Sequence, residues 1–179
     1  NVKRKLTREE ALWVLTEWHL CKLDFYHFVS NYVLIEDWKA RISLFKPNRA
    51  QTIILRQLAK AEEMGVALMF MFLKARQLGI TTLFQALLAQ RCFFYRNVSA
   101  YTGSAQEVKS KLMVSKLDFM WLNLPWWLRP KRTEFRVGEL MKYGQLNSSV
   151  NVVWGNQKQG IGRGATPTAE AGTGAVATC

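Results

Sequence analysis

Two features in the middle of the chain predict an α/β fold. The first is a run of eight apolar residues, Val66 to Leu73, set between Gly65 and a glycine-containing turn. Its length and its flanks suit a strand buried on both faces, as in a parallel sheet. A buried helix is the rival reading, because Met, Leu and Ala are good helix formers. The second is the order of the elements after that run: a loop, an unbroken apolar helix over Leu83 to Phe94, a short strand over Val98 to Thr102, and a long helix to Trp121. That alternation builds a parallel sheet with helices on its faces.

The elements before this core read as helical. Thr7 and Glu10 have the spacing of a capping box, in which hydroxyl and carboxylate satisfy each other's backbone amides. Leu12, Leu15, Trp18 and His19 then recur at helical spacing, which predicts an amphipathic helix over 8–20. Phe25 to Ile35 is apolar enough for a second helix. Arg41 to Pro47 reads as a short strand or an extended link. Residues 49–64 form a further helix with Ile53, Leu55, Leu58 and Ala61 inward. The strand at Val98 ends at Gly103-Ser104, and Ser104 is placed to cap the long helix with Glu107 at its third position. Beyond the proline-bounded loop Leu124 to Pro130, the stretches Thr133–Val137, Glu139–Tyr143 and Ser149–Trp154 read as short strands joined at Gly138, Gly144 and Asn147. The expected organisation is a helical lead-in over 1–48, a core over 49–164 and a low-complexity, disordered tail over 165–179. In that tail 11 of 15 residues are Ala, Gly or Thr, so there is little to bury.

Composition narrows the function classes. The chain is 179 residues long, 49% hydrophobic, and carries 25 Lys and Arg against 13 Asp and Glu. Wholesale disorder is excluded, and the longest apolar stretch is too short for a membrane span. Cys21, Cys92 and Cys179 are odd in number and far apart, which fits neither a disulfide framework nor a zinc site and points to a reducing cytoplasm. His19 and His27 are eight apart with no obvious partner ligand and read as structural. With neither an initiator methionine nor a signal peptide, the chain is expected to be a fragment of an unsecreted protein. Charge is uneven: residues 67–179 carry 14 basic and 5 acidic side chains, a balance that favours polyanions such as nucleic acid or nucleotide phosphate.

The segment Lys74-Ala75-Arg76-Gln77-Leu78-Gly79-Ile80-Thr81-Thr82 carries the chemistry. It comes directly after the apolar run and opens a helix, where backbone amides and the helix dipole converge on an anion. Against the phosphate-loop pattern GxxxxGK[ST], Gly79 matches the second glycine and Thr81 the magnesium-ligating hydroxyl. Lys74 stands in place of the first glycine and Ile80 in place of the lysine. The cation that the phosphates require is then supplied by Lys74 or Arg76 folding back from the front of the loop.

KARQLGITTL resembles the variant Walker A motif of phage terminase large subunits, ATP-driven motors that pump DNA into empty capsids. In that family the loop reads K-x-R-Q-x-G-x-[ST]-T, with the cation moved forward. Phe45 to Gln51 (FKPNRAQ) is similar to the family's adenine-recognition segment, LDFYHFVSNYVLIED to its lead-in, and GIGRGATP to the segment before its Walker B strand. The similarity covers roughly residues 20–167. It implies a partial P-loop NTPase sheet flanked by helices, with ATP and Mg2+ as ligands. By the same resemblance Gln51 reads the adenine edge, and Lys74 and Arg76 act on the phosphates. Gln77, Gly79, Thr81 and Thr82 complete the cradle, with Thr81 on the metal. The partners implied are double-stranded DNA, a capsid portal, a small terminase subunit and other copies in a ring, in the cytoplasm of an infected bacterium.

The sequence departs from the family after GIGRGATP. An acidic Walker B strand is expected there, and the chain instead runs into TAEAGTGAVATC with Glu170 alone. Glu107, Asp118, Glu134 and Glu139 sit in other contexts, and the clustered acids of a nuclease domain are missing. A truncated or frame-shifted gene is therefore expected, one whose product binds ATP without hydrolysing it alone. The alternative is a basic DNA-binding or interaction module whose glycine loop is only a helix cap. Trp121, Trp126 and Trp127 beside Arg129, Lys131 and Arg132 mix aromatic and basic groups as single-strand binders do, or pack a helix end against the sheet.

Overall fold

The computed structural model describes residues 6–36, 39, 41–65, 71–72 and 78–154, with the backbone of Ala177–Thr178. Helix α1 (Arg8–Leu23) begins at the expected box. The Thr7 amide donates to Glu10 Oε2 at 2.8 Å, and the Glu10 amide to Thr7 Oγ1 at 3.2 Å. Asp24 both closes α1 and opens α2 (Phe25–Tyr32): its amide reaches the Leu20 carbonyl while its carboxylate accepts from the His27 amide. The expected inner face of α1 is corrected here. Leu12 and Leu15 are exposed, and Cys21 is the residue of this helix that is fully buried. The part of α1 that reaches the core is its C-terminal half, where Trp18 and Cys21 meet α2 and α4 (Ile80–Phe94).

The second helix stops earlier than its composition suggests. After Val33 the chain turns extended, and β1 (Leu34–Glu36) pairs antiparallel with β2 (Ile42–Leu44), Leu34 opposite Leu44. The β-branched residues Val33, Ile35 and Ile42 favour that state. Buried Val33 and Phe45 close the hairpin through a 2.9 Å backbone bond, which delivers the chain to α3 (Arg49–Glu63). The inner face of α3 runs through Gln51, Leu55 and Ala61, with Ile54 and Leu58 partly buried. Ile53, expected inside, lies on the opposite side and is half exposed.

Of the apolar run after Gly65, residues 66–70 and 73 lie outside the described residues. Met71 and Phe72 belong to no strand, and Met71 is 92% exposed, so burial on both faces does not hold for these two. Helix α4 starts directly after Gly79, at Ile80, three residues earlier than expected, and is the hub of the molecule. It touches α1, α2, β3 (Ser99–Ser104), α5 (Glu107–Asn123) and β6 (Ser148–Trp154). Phe94 takes the rings of Phe28 and Trp18 edge-on at 5.2 and 5.6 Å, and Phe93 meets Tyr143 at 5.2 Å.

The main sheet is mixed, which corrects the expected parallel sheet. With β4 (Glu134–Arg136), β5 (Leu140–Tyr143) and β7 (Ala177–Thr178), its order is β4-β5-β6-β3-β7. Strand β3 runs parallel to β6 and β7, whereas β4, β5 and β6 form an antiparallel meander. Connection length explains the mixture. The turns at Gly138 (φ +73°) and Gly144–Asn147 can only reverse the chain, while the path from β3 to β6 includes all of α5. Gly103 lies opposite Val153 in the parallel pair, and a Cβ there would stand 2.2 Å from the Val153 carbonyl oxygen.

The start of α5 also differs. Gln106, not Ser104, is the cap, with no side-chain capping bond, and Glu107 is the first helical residue. Ser104 stays in β3, where its amide is taken by Ser110 Oγ at 2.8 Å. Phe28 ties α2 to the hub, so Phe28→Ala is expected to lower unfolding stability by about 3–5 kcal/mol in urea titrations. Leu12→Ala, on the exposed side of α1, is expected to change it by less than about 0.5 kcal/mol.

Candidate functional site

The loop singled out in the sequence ends at Gly79, which holds a left-handed conformation (φ +68°) as the N-cap of α4. Glycine adopts it without the steric cost that a Cβ imposes. Space matters as well, because a Cβ at Gly79 would lie 2.8 Å from Gln51 Nε2. The first intrahelical bond of α4 runs from the Leu83 amide to the Gly79 carbonyl. Ahead of it come the amides of Ile80, Thr81 and Thr82, the group that gives a helix start its affinity for anions.

The beginning of α3 fixes this start. Asn48 and Gln51 form a second capping box: the Gln51 amide donates to Asn48 Oδ1 at 3.0 Å, and the Asn48 amide to Gln51 Oε1 at 2.8 Å. The same two side chains reach across the chain. Asn48 Nδ2 donates to the Leu78 carbonyl at 3.2 Å, and Gln51 Nε2 to the carbonyls of Leu78 and Gly79 at 3.3 and 2.9 Å. Gln51 is only 3% exposed. Both ends of its amide are engaged, so a nucleobase edge reaches Gln51 only by taking over those bonds. The capping box, though not its reach across the chain, was signalled in the sequence as Asn-x-x-Gln at the start of α3.

Thr81 and Thr82 are half-buried on the first turn of α4. From α5, Lys116 Nζ donates to Thr82 Oγ1 at 3.2 Å, which brings a cation to the same turn. Nothing in the sequence distinguishes Lys116, since it comes from an otherwise ordinary helix 34 residues away. Gln51, Gly79, Thr81 and Thr82 thus gather at one end of α4. Lys74, Arg76 and Gln77 lie outside the described residues.

The acids and the aromatic–basic loop are occupied elsewhere. Glu107 pairs with Lys111, Asp118 with Arg132 and Glu134 with Arg136. Trp121 donates its indole N–H to the Pro130 carbonyl and carries Arg132 and Arg129 over its ring at 4.1 and 5.1 Å. Trp127 packs edge-on against Trp13 and Tyr32, whereas Trp126 stays exposed. No helix among the described residues is long and apolar enough to cross a membrane. No protein-family model and no curated protein matches the chain.

The clamp predicts a specific mutational pattern in urea titrations. Gln51→Ala removes the bonds of its amide to the Leu78 and Gly79 carbonyls and to the Asn48 amide, and should cost about 1–3 kcal/mol. Gly79→Ala should cost about 1–2 kcal/mol for its left-handed backbone. Because the alanine at 51 removes the atom that a Cβ at 79 meets, the double variant should cost less than the two single variants together.

Proposed function

We propose that this chain is the ATP-binding portion of a DNA-packaging motor of the phage terminase large-subunit kind. The observation that carries the reading is the clamp. The two segments that resemble that family's adenine-recognition and phosphate-binding stretches are joined by three hydrogen bonds, from Asn48 and Gln51 to Leu78 and Gly79. An α/β frame with a helix opening straight from the glycine turn supports it further.

On this reading the amides at the start of α4 hold the phosphates, with Lys74 or Arg76 folding back over them. Thr81 offers its hydroxyl to Mg2+, a hard cation suited to oxygen ligands. Lys116 adds positive charge beside Thr82. ATP, when bound, supplies a γ-phosphoryl group whose transfer to water is driven by positioning and charge stabilisation. Turnover also requires a carboxylate that orients the water, and the sequence after GIGRGATP carries no acidic Walker B strand to supply it. The chain is therefore assigned binding without hydrolysis on its own. Double-stranded DNA, a capsid portal, a small subunit and a ring of copies, within an infected bacterium, are the setting this reading implies.

A basic DNA-binding module is the second reading, favoured by the net charge of +12 and by the engaged amide of Gln51. Titration of a fluorescent ATP analogue with Mg2+ into the chain separates the two. Saturable binding that is lost in Lys74→Ala/Arg76→Ala, with an unchanged circular dichroism spectrum, is expected. A folded chain that binds no analogue rejects the nucleotide reading. In that case the double variant should only flatten the salt dependence of DNA affinity, by about one unit of log–log slope per lost phosphate contact.

A further inference from the structure

Glu17, Cys21 and His27 meet between α1 and α2, away from the α4 start and independent of the nucleotide reading. We infer that these three residues form a site for a divalent transition-metal ion of the Zn2+ class. Little in the sequence signals it, because the three residues come from two helices and match no ligand spacing. The fold assembles them. Glu17 and Cys21 are four apart on one face of α1, and the turn at Asp24 folds α2 back so that His27 faces them. One donor atom from each, a carboxylate oxygen, a thiol sulfur and a ring nitrogen, lie within 4.8 Å of one another. A tetrahedral ion with bonds of about 2.0–2.3 Å holds its donors about 3.3–3.8 Å apart. Small side-chain rotations therefore complete the set.

The donor types select the ion. Thiolate, imidazole and carboxylate together suit zinc and its neighbours, whereas Mg2+ and Ca2+ take oxygen ligands. A hydrogen-bond network accounts for part of the cluster: Glu17 Oε2 accepts from His27 Nε2 at 2.8 Å and from the Tyr32 hydroxyl at 2.6 Å. Those bonds hold the Glu17 carboxyl below its usual range, the Tyr32 bond first and the His27 bond next. The network leaves out the sulfur of Cys21, which is fully buried beside it.

Binding then balances. The Sγ–H bond breaks, its proton leaves to water, and a sulfur–metal bond forms. The dication is matched by one thiolate and one carboxylate, so the half-buried site carries no net charge. His27 coordinates through Nε2 with its ring proton on Nδ1, while the Asn31 amide nitrogen keeps its 2.8 Å bond to the His27 carbonyl. Tyr32 remains as the outer partner that orients Glu17. The side chains of His27 and Glu17 are 26% and 16% exposed, which leaves the ion a way in and a fourth position for water.

Cobalt(II) is the probe, added to the reduced, chelator-stripped chain of 179 residues. A thiolate-to-cobalt charge-transfer band that saturates at one ion per chain and is bleached by Zn2+ is expected. In Cys21→Ser the band should vanish. In Glu17→Gln, which keeps an acceptor for Tyr32 and His27, cobalt affinity should fall by about 100-fold or more, with the circular dichroism spectrum unchanged. Glu17→Gln decides alone if a serine in the buried position unfolds the chain. The inference is overturned by a folded wild-type chain without the band, by a band that survives Cys21→Ser, or by unchanged affinity in Glu17→Gln.

Discussion

Gly79 can turn the chain into α4 only in a left-handed conformation, and the place a side chain would fill there is held by the Gln51 amide. That amide does three jobs at once. Its oxygen completes the cap of α3, and its nitrogen satisfies the carbonyls of Leu78 and Gly79. Together with Asn48 Nδ2, which also reaches the Leu78 carbonyl, it fixes the starts of two helices relative to each other. The orientation of the α4 amides, and any anion chemistry they perform, depends on that contact.

The other end of α4 is tied as firmly to the lead-in. Gln90 Nε2 donates to the carbonyls of Cys21 and Lys22, and the Tyr95 hydroxyl to that of Lys22, which satisfies the open carbonyls at the end of α1. Polar groups inside the described core are otherwise largely matched: Gln85 Nε2 reaches Thr102, leaving Gln85 Oε1 as a buried side-chain oxygen without a partner. The same bonds that dock α1 also hold Cys21 and Glu17 in position opposite α2. The helical lead-in and the sheet therefore share one hub, and both candidate sites lie against it.

Local signals in the sequence were legible where short-range chemistry decides the outcome. The Thr7–Glu10 box, the bounds of α3 and the short strands after Thr133 all arise from residues a few positions apart. Long-range consequences were less visible. A parallel sheet was expected because strands alternate with helices, yet the direction of β4 and β5 is set by turns too short for a crossover. Leu12 and Leu15 of the α1 stripe face outward, while Trp18 reaches the core, because docking uses the end of that helix rather than its length. In the candidate site, glycine and threonine were readable from the motif. The burial of Gln51, the approach of Lys116 and the meeting of Glu17, Cys21 and His27 depend on tertiary contacts that spacing does not encode.

The central claim is that the start of α4, held by Gln51, is a phosphate-binding surface. Hydrogen exchange of the backbone amides with and without Mg2+ and ATP tests it most directly. Added nucleotide is expected to slow exchange at Gly79 to Leu83 and at the start of α3, with little change along α5 and the β4–β5 hairpin. Slowing confined to the Trp121–Arg132 region, or no change at Gly79 to Leu83 at saturating nucleotide, would contradict it.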